Sequence, residues 1–294
     1  MAPTLSAFLP LRISGEKCMD DLRRSSLLLR SLEKHWQGER PLELVVCVRE
    51  DERSAVEAGI KGYRNLDLRV ILEGDLVPEL LESEGASGWY RQMLLKLAFS
   101  KAAESDLYLT LDADVVCVRP ISDEILVRGG RAVTQWESKH DHPGWWRDSS
   151  RLLLCDLHIE TPGSDAERPL DGDRSGRAGG DRADLGRELR ARPPPLQRSE
   201  GLHVDGVQAV LPVRRACRPA AGVLLLDPEQ QTADLSLHVG FNLWTADGET
   251  FARWDPASEL TESGRGFFLV CQSNIGAVAA PFDEIERKLL PLLT

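Results

Sequence analysis

From residue 163 to residue 231 the chain has no Lys, Asn, Thr, Ile, Phe, Tyr, Trp or Met. Arg, Gly, Asp, Ala and Pro dominate there, as in DGDRSGRAGGDRADLGRELRARPPP. Ordering each residue costs about 1–2 kcal/mol of backbone entropy, and a stretch without aromatic anchors buries little to offset it. Two readings of 163–228 stand side by side: a disordered insertion, or a stretch translated out of frame. Read one nucleotide downstream, VDGVQAVL (204–211) can encode Trp-Thr-Glu-Tyr-Arg-Leu-Tyr-Phe, an aromatic and protein-like peptide.

Other absences narrow the function. Six cysteines are present but none forms a C-x-x-C pair, which argues against a zinc knuckle or a redox motif. Basic residues are in deficit and the net charge is −11, so a nucleic-acid partner is not expected. An anionic small ligand stays compatible, because a bound metal ion reverses the local sign. No apolar run is long enough to cross a membrane. The start, MAPTLSAFLPLRISGEK, lacks a basic residue followed by a long apolar stretch, so no signal peptide is expected and the compartment is read as cytoplasmic.

What is present is ordinary for a folded protein. The 294 residues are 42% hydrophobic and 28% charged, and are read as a single domain, 1–294, interrupted by the atypical segment. Strand and helix signals alternate in the first half. Strands are expected at 5–11, LELVVCV (42–48), 66–72, LYLTL (107–111) and 132–136. Helices are expected at 20–36 and at WYRQMLLKLAFSKAA (89–103). Such alternation predicts an α/β fold with a mixed, mainly parallel sheet flanked by helices. After the depleted middle, LSLHVGFNLW (235–244), FFLV (267–270) and a final helix at 283–290 read as core elements.

Asp112-Ala113-Asp114 follows the strand LYLTL. Ligands of parallel sheets bind at the carboxyl ends of strands, and two carboxylates one residue apart can hold a divalent cation such as Mn²⁺ or Mg²⁺. That cation can bridge the phosphates of a nucleotide-sugar and neutralise the leaving diphosphate. Ala113 between them is small enough for a ribose to approach the backbone.

The stretch GWYRQMLLKLAFSKAAESDLYLTLDADVVCVRPIS resembles the core of a bacterial family of glycosyltransferase-like proteins with a GT-A fold. The G-W-x-x-Q helix with L-L-K-L, the strand, the L-D-A-D motif and the Pro-containing exit carry the resemblance. LSAFLPLR, S-L-L-L-R-S-L, V-R-E-D-E, F-N-L-W and Q-S-N are similar too. It covers roughly residues 5–155 and more loosely 235–290, while the middle departs from it. It implies a GT-A-like sheet, a nucleotide-sugar donor and an acceptor of unassigned kind (glycan, lipid or small molecule).

Candidate residues follow. Arg91, Gln92 and Lys96 on the 89–103 helix, and Arg12 past the first strand, are candidates for donor binding, the cations by neutralising diphosphate. Against this stands the reading of the helix residues as the solvated polar face of a core helix. Glu50, Asp51 and Glu52 form an acidic turn that reads as surface or as a ribose contact. Trp145, Trp146 and Trp244 are candidates for stacking on the acceptor, and Trp254 is a further notable indole; buried tryptophans are the competing reading. His238 is a candidate third metal ligand, ahead of His140 and His142. Glu137 is a candidate catalytic base for an inverting reaction. Two alternatives remain open. One is a degenerate, catalytically impaired nucleotide-binding domain. The other is a phosphatase of the haloacid dehalogenase type, for which a downstream acidic pair is missing: only Lys139 and Lys288 follow Asp114 among the lysines.

Overall fold

Four short apolar runs build the centre of the sheet. They are β1 (Leu5–Pro10), β2 (Leu42–Val48), β3 (Leu66–Leu72) and β4 (Leu107–Thr110). The computed structural model describes residues 4–14, 21–81, 88–128, 131–132, 210–212, 253–259, 266–271 and 282–293. All of these fall in one of the two units into which the chain divides. Strands β1 to β4 are mutually parallel, and β8 (Val210–Pro212) adds an antiparallel edge. The order is β3-β2-β1-β4-β8. The chain is therefore α/β with a mixed, mainly parallel sheet, as its alternating pattern predicts.

Burial explains the composition of each strand. β1, β2 and β4 are buried along nearly their whole length, so both faces are apolar. β3 lies at the edge and alternates, with Asp67 and Arg69 exposed. Side chains alternate between two cores. Leu9, Leu44, Val46 and Leu109 face one side, with Leu28, Leu29 and Leu32 of α1 (Asp21–His35). Phe8, Val45, Cys47 and Tyr108 face the other, with Leu95 and Phe99 from α4 (Gly88–Ala98) and the single turn after it. Phe8 stacks on Phe99 at 4.2 Å between ring centroids, and Phe99 meets Tyr108 edge-on at 5.1 Å.

Connections set the switch point. β1 leads through α1 to β2, and β2 through α2 (Arg53–Gly59) to β3, each step moving outward. After β3 come the one-turn helix α3 (Glu73–Leu76) and α4, and the chain returns to lay β4 on the other side of β1. The strand order reverses between β1 and β4, which opens a crevice at their carboxyl ends.

A second layer lies on the other flank of α1. β5 (Val115–Cys117) pairs antiparallel with β9 (Phe268–Val270), and Ser31 Oγ accepts the Cys117 N–H at 2.8 Å. Leu27 of α1, Val116 and Leu269 meet Phe282, Ile285 and Leu289 from the C-terminal helix, α7 (Phe282–Leu293). Lys34 Nζ donates to the Leu292 carbonyl at 2.7 Å, and Arg23 pairs with Asp283 at 2.8 Å. Trp254 joins this cluster, just before α6 (Pro256–Glu259), at 6% exposure, which supports the packing reading of that indole.

One expected strand and the depleted segment are described only in part. Within 132–136 only Ala132 is described; β7 (Arg131–Ala132) pairs with β6 (Val127–Arg128), which follows the one-turn helix α5 (Asp123–Leu126), in a separate two-stranded ribbon. Within 163–228, Val210–Pro212 is the described part and forms β8 on β4; the remainder lies outside the described residues. No helix among the described residues is long and apolar enough to cross a membrane.

Leu109 is 1% exposed in the strand between β1 and β8. Leu109→Ala is expected to lower stability by about 2–5 kcal/mol, read by denaturant unfolding. A loss under about 1 kcal/mol means β4 is not a core strand.

Candidate functional site

The strand LYLT holds Asp112 at the switch point. The ladder continues one step past β4, where the Leu111 N–H reaches the Phe8 carbonyl at 2.8 Å. The chain then turns through Asp112, Ala113 and Asp114 into β5. Ala113 packs half-buried against the main core. The Asp114 carbonyl accepts the Cys271 N–H at 2.7 Å, tying the turn to the end of β9. The backbone of the turn is thus held by strands at both ends.

α4 crosses this edge of the sheet and brings two cations. Lys96 Nζ donates to Asp112 Oδ1 at 2.6 Å, with the two side chains 6% and 13% exposed. Arg91 Nη2 donates to Glu73 Oε2 at 2.8 Å and Nη1 to the Leu80 carbonyl at 2.9 Å. Buried charges need such partners, which explains why a Lys stands in the apolar run MLLKLAF. Gln92 lies half-buried one turn before Lys96, on the same helix face.

A cavity of about 920 Å³ opens at the carboxyl ends of β1, β2 and β3. Arg12, Arg49, Glu50, Asp51, Asp75 and Arg91 stand on its walls. Asp112 and Asp114, past the end of β4, and Lys96 on α4 lie outside its lining. Arg12 Nε is buried with no hydrogen-bond partner among the described residues. Glu52 is not a surface or ribose contact: it is 3% exposed and its Oε1 accepts the N–H groups of Ile13 (3.2 Å) and Ser14 (2.7 Å). It therefore pins the segment that carries Arg12, and Glu50 and Asp51 are the members of that turn that reach the cavity.

The electrostatics of the pair are unbalanced. Burial, then the Asp112 charge, pushes the Asp114 carboxyl up to about 7 from an ordinary 3.8. Arg24 and Lys96 oppose this, and Asp21 adds to it, so three carboxylates face two cations. A divalent cation fits what is missing. The oxygens are hard donors, and Mg²⁺ or Mn²⁺ is commonly held by one or two carboxylates with substrate phosphates and water. Among the described residues no group of three or more His, Cys, Asp or Glu forms a complete ligand set. Glu137, His238, Trp145, Trp146 and Trp244, like His140 and His142, lie outside the described residues.

Arg49, Glu73, Asp75, Asp21 and Arg24 were not singled out from the sequence. Arg49 and Asp75 sit one and three residues past strand ends, and that position alone was the available signal. Asp21 and Arg24 approach Asp114 only through the packing of α1, which no local pattern reveals.

A family model described as a family of unknown function (DUF6492) matches residues 2–165. No curated protein matches. Among solved structures, the apo crystal structure of mouse xyloside xylosyltransferase 1 is similar at 18% identity and a TM-score of 0.31. The alignment covers 48% of this chain, and this chain spans 59% of the length of that one.

The shift at Asp114 gives a signed expectation. Between about pH 4 and about pH 7 the folded state holds a proton that the unfolded state releases. The stability contribution is complete below the unfolded value and is lost as pH rises through the folded one. In metal-free buffer, Asp114→Asn should therefore raise the thermal midpoint at about pH 8, and the gain should shrink toward about pH 4. A gain independent of pH contradicts the burial of a charged Asp114.

Proposed function

We propose, for a chain that belongs to DUF6492, a family of unknown function, that it is a GT-A-like glycosyltransferase. It would take a sugar from a nucleotide-sugar and pass it to a glycan, lipid or small-molecule acceptor. One observation carries this reading: a carboxylate pair at the switch point shares its sheet edge with a large cavity walled by Arg12 and Arg91. Acid and base side chains on one edge suit a ligand that is anionic at its phosphates and rich in hydroxyls at its sugars.

Each described residue has a part in this reading. Asp112 and Asp114 would hold Mn²⁺ or Mg²⁺, which would supply Lewis-acid neutralisation of the departing nucleoside diphosphate. Arg91 keeps a fixed fork, because Glu73 and the Leu80 carbonyl already orient it. Arg12 offers a guanidinium on the cavity wall, just past the end of β1. Glu50 and Asp51 on the cavity wall can accept hydrogen bonds from ribose hydroxyls. Ala113 leaves room for the ribose. Gln92, on the same face of α4 as Lys96, would donate to the nucleotide-sugar. Glu137 as base, His238 as third ligand, and Trp145, Trp146 and Trp244 at the acceptor complete the reading from sequence. The acidic chain, at a net charge of −11, does not suit nucleic acid as the acceptor.

Calorimetric titration with UDP and with GDP, each with and without Mn²⁺, tests it. At least one nucleotide should bind in a metal-dependent way, and Asp112→Ala with Asp114→Ala should weaken that binding by about tenfold or more, an effect of about 1.4 kcal/mol. Hydrolysis of UDP-, GDP- or dTDP-sugars should fall with it. Metal-dependent binding that survives the double substitution assigns the site elsewhere.

A further inference from the structure

We propose that Lys96 is a built-in counter-cation for Asp112 that competes with a divalent metal and so sets the metal affinity of the site. This rests on the reading of Asp112 and Asp114 as metal ligands. The Lys96 ammonium lies 2.6 Å from Asp112 Oδ1, and both side chains are nearly enclosed. At that depth the attraction is weakly screened by salt. Asp112 is the ammonium's one hydrogen-bond partner among the described residues.

The ammonium is not needed to hold α4 in place. The Tyr108 hydroxyl already donates to the Lys96 carbonyl at 2.8 Å. Phe99, one turn on, stacks on Phe8 of β1. The helix is therefore fixed by packing and by its backbone, and the ammonium acts on Asp112. A second cation on the same carboxylate meets its repulsion. By linkage, each weakens the hold of the other by the same factor. The metal-free site is then kept from full charge imbalance, and free metal binds it weakly. A nucleoside diphosphate brings negative charge that both cations can share, so metal and donor bind best together.

The test uses Mn²⁺ alone with the full chain, followed by electron paramagnetic resonance of the free ion. Lys96→Gln and Lys96→Met remove the charge; Lys96→Arg keeps it. The expected result is Mn²⁺ affinity roughly tenfold higher in the two neutral variants, and near wild type in Lys96→Arg. General damage to the fold moves affinity the other way. If the wild type binds Mn²⁺ and the neutral variants bind it equally or less tightly, the counter-cation role fails while the metal site stands. If none of the proteins binds Mn²⁺, both fail. The proposal also makes metal and ammonium interchangeable at Asp112. Neutral variants that unfold should therefore refold with saturating Mn²⁺, and if both stay unfolded in it the proposal is overturned.

Discussion

β1 lies between β2 and β4, parallel to both, and the rest of the arrangement depends on that placement. A parallel strand buried on both faces must be covered by helices on each side, which fixes α1 on one and α4 on the other. The helices in turn deliver their polar residues to the sheet's carboxyl edge. α4 reaches Glu73 past β3 with Arg91 and Asp112 past β4 with Lys96, spanning the ends of β2 and β1 between them. α1 starts beside Asp114, with Asp21 and Arg24 in its first turn.

Electrostatics then decides what the edge can do. Arg91 with Glu73 and Lys96 with Asp112 are nearly enclosed pairs, and removing one member of such a pair leaves a costly buried charge. Asp114 is the carboxylate left over, raised toward neutrality by burial and by Asp112. A structural role alone gives no reason to keep a third carboxylate there. A cation arriving with an anionic ligand would, since it would answer the excess charge. The adjoining cavity, about 920 Å³, lies within the usual range for small-molecule sites.

Much of this was legible in the chain, for identifiable reasons. β2 and β3 fall at 42–48 and 66–72 as expected, because polar turns bracket both apolar runs. Asp112 and Asp114 were legible because four apolar or β-forming residues precede them directly. β5 and β9 were not paired in advance: each is three residues long, and they meet from opposite halves of the chain. Lys96 also read as solvent-facing, since one Lys in MLLKLAF carries no sign of its partner. Glu52 looked like part of an acidic surface turn, and only the fold shows it bonded to the backbone after Arg12. Pairing across space is what periodicity does not encode. The described strand Val210–Pro212 makes the same point inside a segment whose composition suggested no order at all.

The central claim is that Asp112 and Asp114 form a divalent-cation site at the switch point. Crystals soaked with Mn²⁺ and a nucleoside diphosphate, measured at the manganese absorption edge, address it directly. The account predicts one anomalous peak within about 2.0–2.6 Å of oxygens from both carboxylates, with the diphosphate beside it. A peak at other carboxylates, or a bound diphosphate with no peak between Asp112 and Asp114, would contradict it.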